Sequence, residues 1–174
     1  MYLSKLDRGI FALTSVNGFS WNKKTDVLFP RITNARALIF SNGVMLYYPE
    51  SEIMGSFSKD GFTDWQTAIA MISPQAGYSV DDPMIFRLYD GTYRMLFAEL
   101  TQNSIGGNLE GAIFGATSTD GVSWTRDSVA TIVFDPEIEG FGQSVSAPSQ
   151  VLRPFVINWI NPVSNTENYL MLYN

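Results

Sequence analysis

The sequence predicts an all-β chain that repeats one small antiparallel module, and three observations carry this. A short turn is written three times in 174 residues: Ser15-Val-Asn17-Gly18-Phe-Ser20-Trp21, Ser58-Lys-Asp60-Gly61-Phe-Thr-Asp-Trp65 and Ser118-Thr-Asp120-Gly121-Val-Ser123-Trp124. Pairs of strand-like runs precede the second and third copies. No window holds helical periodicity, and Gly and Pro interrupt the chain too often for long helices. A unit recurring at this scale signals an array of similar modules.

The elements follow in order. Gly9–Thr14 is read as a strand leading into the first turn, where Asn17-Gly18 supplies residues that tolerate positive φ. Ala35–Phe40 and Gly43–Tyr48 form a hairpin joined at Ser41-Asn42-Gly43, ahead of the second turn. Pro83–Leu88 and Gly91–Phe97 repeat that hairpin, joined at Tyr89-Asp90-Gly91, ahead of the third. A last pair is expected at Ala147–Leu152 and Tyr169–Tyr173, with Trp159 in the long connection between them. The module is four antiparallel strands, with the Ser-x-Asx-Gly turn joining strands three and four. That is the signature of a β-propeller blade.

In this register the chain opens at strand three and stops after strand two. It therefore holds about three blades, one of them split between the termini, in a single domain over residues 1–174. Open strand edges invite pairing. The expectation is a homo-oligomer, a dimer closing the ring by pairing Gly9–Thr14 with Tyr169–Tyr173, or a fragment of a longer propeller.

Composition narrows the chemistry. Aromatic residues make up 14% and charged residues 16%, which suits packed sheets. The net charge is −6 and the basic residues are scattered, so neither nucleic acid nor an anionic membrane is an expected partner. No run reaches the length of a membrane-spanning helix. With no Cys and no His, thiolate chemistry, a Ser-His-Asp triad and imidazole-bound zinc are excluded. No metal or cofactor is expected. Carboxylate chemistry remains, and its obvious form on a neutral substrate is glycoside hydrolysis by two acidic groups.

Asp82-Pro-Met-Ile-Phe-Arg-Leu-Tyr-Asp90-Gly-Thr-Tyr-Arg-Met-Leu-Phe97, followed by Gly115-Ala-Thr-Ser118-Thr-Asp-Gly-Val-Ser-Trp124, resembles a blade of the five-bladed propeller glycoside hydrolases, the arabinanase, xylosidase, invertase and levansucrase group. The turns are also similar to the Asp-box of sialidases, although that motif carries another residue between Asp and Gly. The resemblance implies a carbohydrate ligand and favours an extracellular or periplasmic setting. It also implies that catalytic acids stand where the innermost strand of a blade begins, often just before a Pro.

The three strand starts expected here are Asn34-Ala35, Asp82-Pro83 and Ala147-Pro148. Only Asp82 is an acid, and the resemblance gives it the role of a transition-state-stabilising Asp. Glu50 and Glu99 end second strands and return to the same rim. Asp82 and Glu99 are the candidate catalytic residues. Asn34, Glu50, Asp82, Glu99, Ser146 and Trp159 are the candidate ligand-binding residues. Asp82 has a second reading as a cap of the strand entrance, Glu99 as a solvated strand end, and Trp159 as either a sugar-stacking ring or a core cover. The polar loop around Leu100–Glu110 and the segment ending at Asp135–Gly142 lengthen the same rim, and insertions gathered on one face of an array mark its binding face. Without a second family-like acid, the chain is expected to bind carbohydrate and to lack a complete catalytic set. The alternatives are a true hydrolase completed by further sequence or a partner chain, and a structural or protein-interaction propeller.

Overall fold

Each of the three turns folds through the same few hydrogen bonds. The hydroxyl of Ser58 accepts from the backbone N–H of Gly61, and Oδ1 of Asp60 accepts from those of Phe62 and Thr63. Ser118 and Asp120 repeat this toward Gly121, Val122 and Ser123, and Ser15 and Asn17 toward Gly18, Phe19 and Ser20. The glycines take the left-handed conformation, with φ of 77°, 75° and 74°. An Asx side chain that satisfies the backbone two and three residues ahead specifies this turn without tertiary help.

A computed structural model describes residues 2–5, 9–24, 28–102, 109–133 and 153–172. Among these the chain is all-β, with every strand pairing antiparallel. The first sheet joins β1 (Tyr2–Lys5), β2 (Gly9–Thr14) and β3 (Asn22–Lys23) in that order. The second runs β4 (Arg36–Phe40), β5 (Gly43–Pro49), β6 (Ile53–Ser58) and β7 (Ile69–Ile72). The third runs β8 (Ser79–Arg87), β9 (Tyr93–Gln102), β10 (Leu109–Ser118) and β11 (Thr125–Arg126), with β12 (Ile132–Val133) also on β10. A hairpin of β13 (Phe155–Ile160) and β14 (Glu167–Leu172) follows. The second and third sheets are the four-stranded modules read from the sequence, each with its turn between strands three and four.

Three expectations change. β2 has both edges taken, by β1 and β3, so Gly9–Thr14 is not an open edge awaiting Tyr169–Tyr173. The N-terminal sheet then supplies strands two to four and the C-terminal hairpin supplies strands one and two. Strand two is present at both ends, so the termini are two partial blades and not one split blade. In the last blade the inner strand is Phe155–Ile160, which pairs residue for residue with Glu167–Leu172. Trp159 therefore lies in a strand and not in a connection, while Ala147–Leu152 falls outside the described residues. Finally, part of the loop around Leu100–Glu110 is ladder: β9 and β10 stay paired out to Gln102 and Leu109.

The sheets pack face to face through three apolar clusters. Ile10, Leu46 and Tyr48, with Phe29 and Trp65 against them, join the first sheet to the second. Met45, Tyr47, Ile53, Met95 and Phe97 join the second to the third. Leu96, Ile113 and Val156, with Met84, Phe86 and Met171, join the third to the hairpin. Along β5 and β9 alternate residues serve alternate clusters, as the two-residue period of a strand demands. Tyr47 and Phe97 are fully buried, each contributing roughly 1.5–3 kcal/mol by leaving water.

Candidate functional site

The entrances to the inner strands share an unusual backbone. Asn34, Asp82 and Arg153 precede β4, interrupt β8 and precede β13, and have φ of 55°, 50° and 53°. Asn and Asp visit the left-handed region more readily than most residues; Arg does so rarely. Asp82 and Arg153 also precede Pro83 and Pro154, and a residue before proline is pushed toward extended backbone. Their conformation is imposed by the surrounding fold, at a cost on the order of 1–3 kcal/mol each. Among the described residues the third such entrance is Arg153-Pro154. The Ala147-Pro148 step expected from the sequence lies outside the described residues, and Arg153-Pro154 leads into the strand that covers Leu96 and Ile113.

At Asp82 the β8–β9 register breaks between Asp81 and Met84, so Asp82 and Pro83 leave the ladder in a bulge. Bulges re-aim side chains, and this one turns Asp82 toward the next blade. Asp82 is 9% exposed. Its backbone N–H donates to Oδ1 of Asp81 at 2.7 Å, and the same oxygen accepts from Nδ2 of Asn34 at 3.3 Å. Its carboxylate accepts from the backbone N–H of Arg153, whose side-chain Nε stands 4.0 Å from Oδ2. Burial raises the Asp82 carboxyl above the ordinary carboxylate range, the Asp81 charge raises it further, and Arg153 and Arg36 pull it partly back. The result is a shielded carboxyl that holds a proton more readily than a surface Asp.

The other candidates divide. Asn34 joins the Asp82 cluster through Asp81. Glu50 is exposed where the chain turns after β5, at the end of the sheet that carries Asn34. Glu99 is 1% exposed and its carboxylate is gripped by both terminal nitrogens of Arg126, with the backbone N–H of Gln75 donating at 2.7 Å. Arg126 lies in turn over the rings of Phe114 and Phe97. By strand alternation Glu99 shares the face of Met95 and Phe97, which packs on the second sheet. Glu99 is a saturated, buried ion-pair partner, not a solvated strand end or a free acid on the rim. Ser146 lies outside the described residues. Trp159 is 47% exposed at the far end of β13 from Arg153, beside Arg87, Leu88 and Tyr89 at the far end of β8 from Asp82. The structure therefore brings Asn34 and Asp82 together and leaves Trp159 apart.

Sequence reasoning missed Arg153, Asp81 and Arg126. Arg153 had a signal in its Pro154; Arg126 had none, because its partner is 27 residues away. Among the described residues no group of acidic side chains converges as a metal site would require. The second and third turns lie at the opposite end of their sheets from the Asn34 and Asp82 entrances, since Ser58 pairs with Val44 and Ser118 with Tyr93.

No family model matches the chain, and no curated protein sequence matches it. Among solved structures the chain is similar to an α-L-arabinofuranosidase from Fusarium graminearum, solved as a mutant with an iminosugar inhibitor. The TM-score is 0.54 at 11% identity, over 94% of this chain and 66% of that one. An endo-arabinase from Bacteroides thetaiotaomicron gives 0.44 at 16% identity, over 95% of this chain and 70% of that one. A proposed glycoside hydrolase from Parabacteroides distasonis gives 0.44 at 19%, over 55% and 31%. The chain thus spans just under two thirds of the arabinofuranosidase and about a third of the Parabacteroides protein. The likeness to the arabinofuranosidase agrees with the all-β propeller fold expected from the repeated blades.

Proposed function

We propose that this chain is a glycosidase-like propeller domain that binds carbohydrate at the rim around Asp82 and does not by itself hydrolyse it. The observation that carries this reading is Asp82 itself. A buried carboxyl with a raised proton affinity, held in a strained conformation at an inner-strand entrance and flanked by Asn34, Arg36 and Arg153, is arranged to exchange hydrogen bonds with a hydroxyl-rich ligand. Glu50 stands at the same end of the sheets and is available to such a ligand.

The chemical argument against turnover is a deficit of partners. Glycoside hydrolysis needs two carboxyl groups about 5–5.5 or 6.5–9.5 Å apart, one protonated and one free to act as nucleophile or base. Among the described residues Glu99 is committed to Arg126 and Gln75, and Oδ1 of Asp81 to Asp82 and Asn34. Among the described residues Asp82 is the one acid at an inner-strand entrance, and without a second carboxyl facing it there it positions a sugar hydroxyl but does not complete either half of the reaction.

The fold shared with an arabinofuranosidase makes arabino-oligosaccharides the first probe. Isothermal titration of the purified chain should give a measurable Kd that weakens at least tenfold in Asp82→Ala, with no reducing sugar released by either protein. Hydrolysis abolished separately by Asp82→Asn and by Glu99→Gln would replace this reading with a catalytic pair.

A further inference from the structure

Asp82 lies between two guanidiniums that come from the neighbouring inner strands. Arg36 opens β4 on the face that carries Leu38 and Phe40, and the Phe40 ring stands 5.8 Å from that of Tyr93 in the third sheet. Strand alternation therefore turns Arg36 toward the sheet of Asp82, and its charge is felt at the Asp82 carboxyl. Arg153 reaches the same carboxyl from the following strand, with Nε 4.0 Å from Oδ2. In a chain with 17 acidic and 11 basic residues, this reverses the general charge at one point. Neither guanidinium is saturated there. Arg36 is exposed, and among the described residues its hydrogen bond goes to the carbonyl of Ala35, its own neighbour, at 3.1 Å. The Arg153 side chain is 68% exposed, and its 4.0 Å approach to Asp82 is longer than a hydrogen bond. A guanidinium offers five N–H donors in a planar fork that fits a carboxylate. Most of that capacity is left for a ligand.

The backbone of Arg153 is a second, independent observation. Its φ of 53° matches those of Asn34 and Asp82, but Asn and Asp suit the left-handed region and Arg does not. An Asn at this entrance would meet the same backbone demand at lower cost. A residue held where its type is disfavoured points to a use for its side chain. The charges then select the ligand. When Asp82 is protonated, Arg36 and Arg153 stand against the single anion of Asp81, and a singly charged carboxylate balances the excess. A dianionic phosphate would overshoot it. The charge of Glu50 is felt at Tyr48, which packs with the first sheet.

We infer that the sugar bound at this rim is an acidic one, a uronic-acid oligosaccharide whose carboxylate takes the forks of Arg36 and Arg153 while Asp82 holds a neighbouring hydroxyl. The inference rests on the reading of this rim as a carbohydrate site and names the class of sugar that it selects. Arg36 and Arg153 are then the residues that set specificity, and Asp82 the one that orients the ring.

Isothermal titration of the full chain with a uronic-acid oligosaccharide, its methyl ester and a neutral arabino-oligosaccharide tests it. The ester keeps the sugar and removes the charge. The acid should bind about tenfold tighter than the ester at low ionic strength, and the advantage should shrink in high salt. Arg36→Gln and Arg153→Asn should each reduce the advantage, and together they should abolish it. Binding of the ester and of the arabino-oligosaccharide should stay within about twofold of wild type, since neither draws on charge pairing. Arg153→Asn suits the left-handed backbone as Asn34 does, so it should fold, and an unchanged circular dichroism spectrum checks this. An ester that binds as well as the acid, or an advantage that survives both substitutions, overturns the inference and leaves a neutral-sugar site standing. Failure of the underlying carbohydrate reading looks different: Asp82→Ala then leaves the affinity of every sugar unchanged, or no sugar binds at all.

Discussion

Arg153 addresses Asp82 twice, through its backbone N–H on the carboxylate and through Nε 4.0 Å from Oδ2. The contact joins the entrances of two successive inner strands, and the hydrogen bond of Asn34 to Asp81 joins the pair before them. Three side chains of different chemistry, an amide, a carboxyl and a guanidinium, are thereby presented in series from equivalent positions. Arg153→Ala removes only the side-chain part of the contact, so Asp82 should hold its proton still more tightly. The carboxyl titration of Asp82, followed by carbon-detected NMR, should move to higher pH in that variant. No movement would mean that the guanidinium is not felt at Asp82.

The pH dependence of stability has a definite sign at this residue. A carboxyl whose folded pKa lies above its unfolded value contributes stability below the unfolded pKa and loses it as pH rises through the folded one. Asp82 is such a group, through burial first and Asp81 second. Asp82→Asn removes the ionisation and should therefore gain in Tm relative to wild type on going from about pH 4 to pH 7. A gain that runs the other way would show Asp82 to be stabilised as the anion.

Glu99 and Arg126 are predicted to be structural. Removing one member of a buried pair leaves an uncompensated charge, so Arg126→Ala should cost about 3–5 kcal/mol in denaturant unfolding. Glu99→Leu combined with Arg126→Met should recover much of that loss, because well-packed apolar residues often replace a buried pair at little cost. A loss of ligand affinity in Glu99→Gln, with unaltered stability, would return this residue to the binding site.

The turns supply a matched pair of substitutions. A Cβ at Gly121 would meet Cζ of Phe40 at 2.6 Å, whereas one at Gly18 meets nothing within 4 Å, although both have nearly the same positive φ. Gly18→Ala should cost the backbone strain alone, roughly 1–2 kcal/mol, and Gly121→Ala clearly more. Tyr47→Phe should also destabilise, since the Tyr47 hydroxyl donates to the Gly121 carbonyl at 2.6 Å in a buried position; about 0.5–1.5 kcal/mol is expected. Thermal melts of the three variants check the order, and equal losses at Gly18 and Gly121 would contradict it.

What the sequence made legible was local. The turns could be read because Ser58, Asp60 and Gly61 satisfy one another within a few residues, and the hairpins because Asx-Gly pairs force them. Asp82 could be read because its Pro83 marks a strand entrance. What stayed hidden depends on contacts distant in the chain. Arg153-Pro154 is recognised as a strand entrance only once Val156 is seen to pack on Leu96 and Ile113. Glu99 ends a strand in either reading, and only Arg126 turns it from a rim acid into a core ion pair. Tyr2–Lys5 is a four-residue strand, too short for its period to register, yet it occupies the edge that a distant strand was expected to fill.

The central claim is that carbohydrate binds at the rim around Asp82 and not at the turns or the Trp159 end. Amide chemical-shift mapping of the isotope-labelled chain, titrated with an arabino-oligosaccharide, tests it most directly. The largest shifts should fall on Asn34, Glu50, Asp82 and Arg153, and the indole resonances of Trp65, Trp124 and Trp159 should stay in place. Shifts centred on Tyr89, Asn158 and Trp159, with Asp82 unmoved, would contradict the claim and place the ligand at the opposite end of the inner strands.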